Sequence, residues 1–288
     1  MTMAPARRDL DVLGKLHRKS RKLETLTDDD SALNKYLKLF NIGVPMRAAL
    51  LSVESIDKEP ESIFSYDWQN LIILDGCRYD TYVDVVGEAE PRISKGSMSK
   101  DFVRKNFSDG DFSDIVYITA NPYFYHEKFK SLTGRDVEDT FHDVFHTYID
   151  GWNDDENTVL PEAVLADVKE AQRRYPEKRK IVHFMQPHHP FIGFELAEHG
   201  FGDITEDDVF VNEWDLAMRG ELDHETVQDA YRSNLERVMP YAEKVADAVD
   251  GTTMLTADHG NLLGENGLYW HPPRSKAKAL RKVPMTEL

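Results

Sequence analysis

Four short apolar runs, each closed by polar or turn residues, set the frame of this chain: residues 71–74, 115–119, 181–185 and 253–256. Runs that are apolar throughout, rather than alternating, predict strands buried on both faces. Helical periodicity predicts helices over residues 99–106, 161–174 and 224–249. The last carries Val227, Tyr231, Leu235, Val238, Tyr241 and Val245 on one face and ends at the Asp250-Gly251 turn. Strands that alternate with helices imply a mostly parallel sheet covered on both sides. Residues 195–221 are acidic with few apolar repeats, which reads as an insertion or lid beside a site.

The first 62 residues differ in character and predict a helical N-terminal extension, leaving 63–288 as the α/β domain. Between Met1 and Leu23 there are seven Lys/Arg against two Asp/Glu, with Leu10, Leu13, Leu16 and Leu23 in a loose stripe. Asp28-Asp29-Asp30-Ser31 then offers a helix start. This basic stretch is either a solvated helix face or an arm for a partner or an anionic surface.

The net charge of −17 argues against a general nucleic-acid binder, which needs a cationic face to release counterions. The one cysteine, Cys77, excludes an intrachain disulfide. Together with an N-terminus lacking a signal-peptide core, this leads to the expectation of a cytoplasmic protein. No run of about 18 apolar residues predicts a membrane span.

Candidate chemistry gathers where the apolar runs end. Asp75-Gly76 closes the first run and Asp258-His259-Gly260 the last. In open α/β sheets ligands collect at the carboxyl ends of strands, so these two ends can share one metal site. Adjacent side chains leave an extended strand on opposite faces, so Asp258 and His259 can do so only where the backbone bends, which Gly260 allows. Alone, Asp75 also reads as a turn residue.

The stretch Ser94-Lys95-Gly96-Ser97-Met98-Ser99 opens a helix, whose free N–H groups and partial positive charge favour an anionic phosphoryl or sulfuryl group. A serine there is either a nucleophile activated by a metal or an N-cap. His188 and His189, between Pro187 and Pro190, end a third run; either can bind substrate or a second metal, or protonate a leaving group. His271 follows the Asp-His pair by 12 residues and can fold back to the same rim. Arg78 can clamp an anion or pair with Asp80. Asn121 can donate to a substrate oxygen or start a turn before Pro122. Cys77 reads as a small buried residue rather than a nucleophile.

These motifs in this order resemble the alkaline phosphatase and sulfatase superfamily over about residues 65–288. The most specific part is Thr256-Ala257-Asp258-His259-Gly260 followed by Leu263-Gly264-Glu265. The resemblance is strongest to the phosphoglycerol and phosphoethanolamine transferases and their sulfatase-like relatives. It implies a three-layer α/β/α sandwich around a mostly parallel sheet. It also implies a metal held by Asp75, Ser97, Asp258 and His259, with His271 as a further metal ligand and His188 as a catalytic residue at the substrate. By this analogy Ser97 is the nucleophile, preferred over Ser99 because Phe102 then falls at the apolar helix position. Arg78, Asn121 and His189 are the expected substrate-binding residues.

The activity so implied is metal-dependent hydrolysis or transfer of phosphate esters through serine. The alternatives are a sulfatase-like sulfuric ester hydrolase and a non-catalytic binder of an anionic glycan or lipid headgroup. The C-x-P-S-R pattern matured to formylglycine is missing, which weighs against a formylglycine sulfatase. Mixed O and N ligands favour zinc or manganese, with magnesium or calcium as further choices and one or two ions. The expected partner is an anionic small-molecule, glycan or lipid-headgroup ester.

Overall fold

The computed structural model describes residues 58–194 and 212–288. The predicted N-terminal extension therefore lies, but for its last residues, outside the described residues, as does most of the acidic segment 195–221.

One sheet of seven strands organises the domain. The strands are β1 (Asn70–Asp75), β2 (Glu90–Ile93), β3 (Phe112–Thr119), β4 (Phe141–His146), β5 (Arg179–Pro187), β6 (Thr253–Ala257) and β7 (Lys282–Glu287). Their order is β2-β7-β6-β1-β5-β3-β4. The five from β6 to β4 are parallel. β7 runs antiparallel to both of its neighbours. The predicted mostly parallel sheet is thus present, and β1, β3, β5 and β6 extend the four apolar runs at one or both ends. β2, β4 and β7 had no apolar run to betray them. Pro91 and Pro284, which face each other in the β2–β7 pair, interrupt the pattern expected of a strand.

Side chains alternate across the sheet and build two cores. Ile72, Leu74, Val116, Ile118, Val182 and Phe184 face one layer, formed by α5 (Pro161–Arg174) and α7 (His224–Ala248). Leu71, Ile73, Ile115, Tyr117 and Ile181 face the other, where Phe102, Val103 and Phe107 of α2 (Ser99–Phe107) pack with Phe124 and Phe129. The result is the three-layer sandwich. Helix limits follow local chemistry. Pro161 opens α5, where its fixed φ suits the first turn and its missing N–H costs nothing. Asp223 caps α7 by accepting from the Thr226 N–H at 2.8 Å. The remaining helices used below are α1 (Tyr79–Val85), α3 (His126–Thr133), α4 (Val137–Thr140) and α6 (Glu213–Arg219).

One irregularity in the central ladder matters for function. β1 and β5 stay in register from Asn70↔Lys180 to Leu74↔Phe184, then slip so that Asp75 faces Pro187. A bulge of this kind bends a strand and re-aims its side chains. Gly76 follows with φ +67°, a left-handed turn that suits glycine. The chain leaves the sheet there, with the Asp75 side chain buried at the carboxyl rim.

Candidate active site

Asp75 and Asp258 end neighbouring strands, since Leu74 pairs with Ala257 in the β1–β6 ladder. Asp258 Oδ1 accepts from the backbone N–H of Gly76 at 2.9 Å and of His259 at 2.8 Å. Its Oδ2 is buried with no hydrogen-bond partner. His259 Nδ1 lies 2.7 Å from the Gly260 carbonyl oxygen. That contact places the imidazole proton on Nδ1 and leaves the Nε2 lone pair free. Nε2 points back to the carboxylates, 3.4 Å from Asp258 Oδ2 and 3.6 Å from Asp75 Oδ1.

The backbone does bend after β6, as the Asp-His pair required. Gly260 contributes by close approach rather than by unusual φ. Its N–H donates to Leu280 O at 2.9 Å, and a Cβ at this position would run into the Ala279 carbonyl oxygen. Gly260→Ala is expected to lower stability by about 1–3 kcal/mol, the usual range for overpacking, and to push His259 out of line. A fall in the urea midpoint checks the first effect, and weakened metal binding checks the second.

Burial and the Asp258 carboxylate drive the Asp75 carboxyl well above its ordinary pKa. Asn121 Nδ2 donates to Asp75 Oδ2 at 2.6 Å, which opposes the rise, while Asn121 Oδ1 accepts from the Tyr123 N–H at 2.9 Å. Asn121 thus starts the turn expected of it, while its amide donor is spent on the Asp75 carboxylate. Beneath the pair lies His183, fully buried in mid-strand, with Nε2 3.9 Å from both Asp75 Oδ2 and Asp258 Oδ2. Burial lowers its pKa to about 4, so it is neutral. The Tyr117 hydroxyl, 3.1 Å from Nδ1, fixes the ring, while Nε2 has no hydrogen-bond partner. His183 is absent from the sequence-derived set; its one signal was a histidine inside an apolar run.

Two crowded carboxylates, one of them with the unpartnered buried Asp258 Oδ2, are costly in a dry site. A divalent cation resolves all of this. The two nitrogen–oxygen separations of 3.4 and 3.6 Å match the edges of a coordination sphere with metal–ligand bonds of about 2.0–2.2 Å, and all three donor atoms lie within 4.8 Å of one another. Asp75, Asp258 and His259 are also one of two groups of metal-competent side chains among the described residues.

The two serines separate clearly. Ser99, the first residue of α2, places Oγ 3.3 Å from Asp75 Oδ2 and 3.2 Å from His259 Nε2. Met98 occupies the N-cap position without a side-chain hydrogen bond, so the first N–H groups of α2 face this region uncapped. Ser97 Oγ instead donates to Pro272 O at 2.9 Å and accepts from the Ser275 N–H at 3.0 Å. The structure therefore brings Ser99, not Ser97, to the carboxylates.

The histidines form a second tier. His188 Nε2 and His271 Nε2 are 2.8 Å apart, and the His259 and His271 rings are 4.7 Å apart. Burial, and then the His189 ring, holds His188 well below the usual histidine pKa; burial, and then His259, does the same to His271. His188 Nδ1 lies 2.7 Å from His189 O, which places its proton there. His188 Nε2 then accepts from His271 Nε2–H. His189 turns away, with Nδ1 2.9 Å from Glu213 Oε2 and its ring against Trp214. Arg78 is taken up by carboxylates. It donates to Asp80 at 2.8 and 2.6 Å and to Glu265 at 2.5 Å, a brace from α1 to the segment after Asp258 rather than an open anion clamp. Burial raises the Cys77 thiol, which keeps it protonated beneath the turn.

The Asp258 turn has its own scaffold. Arg92 is fully buried and donates to Thr256 Oγ1 at 3.0 Å and to Ala257 O at 2.6 Å. The Ser94 hydroxyl donates to Asp258 O. Neither residue stood out in the sequence, because a cation and a serine near an edge strand read as surface residues.

No protein-family model and no curated protein matches the sequence. Solved structures do. Over 76% of this chain and 46% of the other, it is similar to the integral membrane protein lipooligosaccharide phosphoethanolamine transferase A from Neisseria meningitidis, at 14% identity and a TM-score of 0.52. Against the soluble domain of that protein the values are 76%, 75%, 14% and 0.51. A C-terminal periplasmic domain of phosphoethanolamine transferase EptC from Campylobacter jejuni follows, with 76%, 78%, 13% and 0.49. The chain thus spans just under half the length of the integral membrane protein. The likeness shows the fold. The cytoplasmic expectation is corrected by the same finding. The fold is shared with the soluble domain of an integral membrane protein. One cysteine cannot form an intrachain disulfide in any compartment, so it held no information on this point. Among the described residues no helix is long and apolar enough to cross a membrane.

Proposed function

We propose that this domain transfers or hydrolyses a phosphate ester, with Ser99 as nucleophile. The observation that carries the reading is the Ser99 hydroxyl. It sits within 3.3 Å of Asp75 and His259, at the uncapped start of α2. Asp75, Asp258 and His259, with the Ser99 oxygen, would hold a divalent cation, zinc or manganese by donor type; when bound it would favour the serine alkoxide and balance charge on the phosphoryl group.

The chain's own groups supply the rest. Ser99 Oγ forms a bond to phosphorus as the bond from phosphorus to the leaving-group oxygen breaks, and the proton of the Ser99 hydroxyl passes to the leaving oxygen. A hydroxyl of an acceptor, or water, then takes the phosphoryl group, and its proton returns to the freed Ser99 oxygen. The N–H groups at the start of α2 face the phosphoryl oxygens. His188 and His271, kept neutral by burial, act as hydrogen-bonding groups for substrate oxygens rather than as strong acids. Asn121 holds Asp75 in place.

The likeness to phosphoethanolamine transferases supports a substrate with a phosphodiester-linked lipid headgroup or glycan. Aryl phosphate mono- and diesters are expected to be turned over. That activity should vanish with a chelator and return with zinc or manganese. Preferential turnover of aryl sulfates, or activity indifferent to chelation, would count against the proposal.

A further inference from the structure

We propose that His126, Glu138 and His146 form a second divalent-cation site, of the zinc class, at the β4 edge of the sheet. The three donors come from three elements: His126 opens α3, Glu138 lies in α4 and His146 ends β4. His126 Nδ1 is 2.8 Å from Glu138 Oε1, and His146 Nε2 is 3.8 Å from the same oxygen. All three ligand atoms lie within 4.8 Å of one another. Tetrahedral ligands at about 2.0–2.1 Å from a cation sit roughly 3.4 Å apart, so each imidazole needs to move by only about half an ångström relative to the Glu138 oxygen.

The imidazole of His146 is held for this purpose. The Tyr148 hydroxyl lies 3.1 Å from its Nδ1, which leaves Nε2 toward Glu138. An oriented ring with its second nitrogen engaged is what a metal-ligating histidine needs. His146 is largely covered, and burial lowers its pKa, so it is available as the neutral ligand. His126 and Glu138 are half exposed, which gives a cation an entry path and leaves coordination positions open to water or an anionic oxygen. Two imidazoles and one carboxylate suit zinc better than magnesium or calcium.

The place is distinct from the site at Asp75. His146 pairs with Thr119 on β3, and Thr119 with His183 on β5, which lies beside β1. Three strand spacings put the two sites roughly 14 Å apart along one rim. A cation here would tie α3 and α4 to β4. It would brace the stretch that begins at Asn121, the residue that holds Asp75.

The test is zinc titration of the chelator-treated full chain by calorimetry, with cobalt as a spectroscopic substitute. The wild-type protein is expected to bind two cations, and His126→Ala or Glu138→Gln one. In the Asp258→Asn background a single cation should remain, with the visible absorption of low-coordinate cobalt. Adding His126→Ala there should weaken it by more than about 100-fold, and Tyr148→Phe by about 10- to 100-fold, the cost of losing an orienting partner. Both ligand substitutions are at exposed positions and leave the cores untouched. Unchanged stoichiometry in His126→Ala and Glu138→Gln would overturn the proposal and reduce the cluster to an ion pair. So would an Asp258→Asn protein that folds but takes up no cation.

Discussion

Ser99→Ala is expected to lower turnover of an aryl phosphate by about 10³-fold or more, as loss of a nucleophile does. Its stability should hardly change, because the Ser99 hydroxyl meets only the carboxylate and imidazole of the site. Ser97→Ala is expected to do the reverse. It removes the partner of both Pro272 O and the Ser275 N–H, and leaving buried polar groups unpaired costs about 1–3 kcal/mol. Turnover should stay within about tenfold of wild type, the range left by a small shift in a supporting loop. Measuring kcat and the urea midpoint for both proteins separates the roles. The assignment fails if Ser97→Ala is the inactive one and Ser99→Ala the unstable one.

Asp258→Asn is the second large perturbation. It removes one of three convergent ligands, and metal affinity should drop by more than about 100-fold, beyond the cost of losing an outer partner. The pH dependence of the metal-free protein gives a further readout. The Asp75 pKa is raised in the folded state by burial and by Asp258, so folding favours its protonated form. Its contribution to stability is therefore complete below the unfolded pKa, near 3.8, and is lost as pH rises toward the folded value. Metal-free wild type should weaken as pH climbs above 4. A cation at 100 times its dissociation constant should restore about 2.7 kcal/mol. In Asp258→Asn the weakening with pH should be smaller, and the metal should restore little. A wild-type urea midpoint that rises with pH in the absence of metal would contradict this account.

What the sequence disclosed follows a physical rule. β1, β5 and α5 were legible because strands buried on both faces and helices with one apolar stripe leave dense, regular patterns. Asp75, Asp258 and His259 were legible because they end such patterns. The two serines were not separable by the same means. They lie two residues apart on one loop, and which hydroxyl reaches Asp75 depends on where the first helical residue falls. Phe102 is buried in the actual arrangement, so its apolar character could not choose between them. For Arg78 the sequence left an anion clamp and an Asp80 pair open; the Asp80 pair forms, and Glu265, 187 positions away and so beyond any local pattern, joins it. Arg92 and Ser94 act through tertiary neighbours that no local pattern marks, and His183 showed only as a histidine inside an apolar run.

The order of strands has a bearing on how this domain is built in time. Asn70, on the central strand, is in register with Lys180 on one side and Thr253 on the other. Neither contact can form until more than a hundred further residues have been made or collapsed into reach, so contact order is high and assembly correspondingly slow. During that wait Leu71-Ile72-Ile73-Leu74, wholly buried at the end, stays exposed to any other unpaired strand it meets. The feature that joins distant carboxylates in one place therefore also sets a kinetic hazard, felt most at high protein concentration.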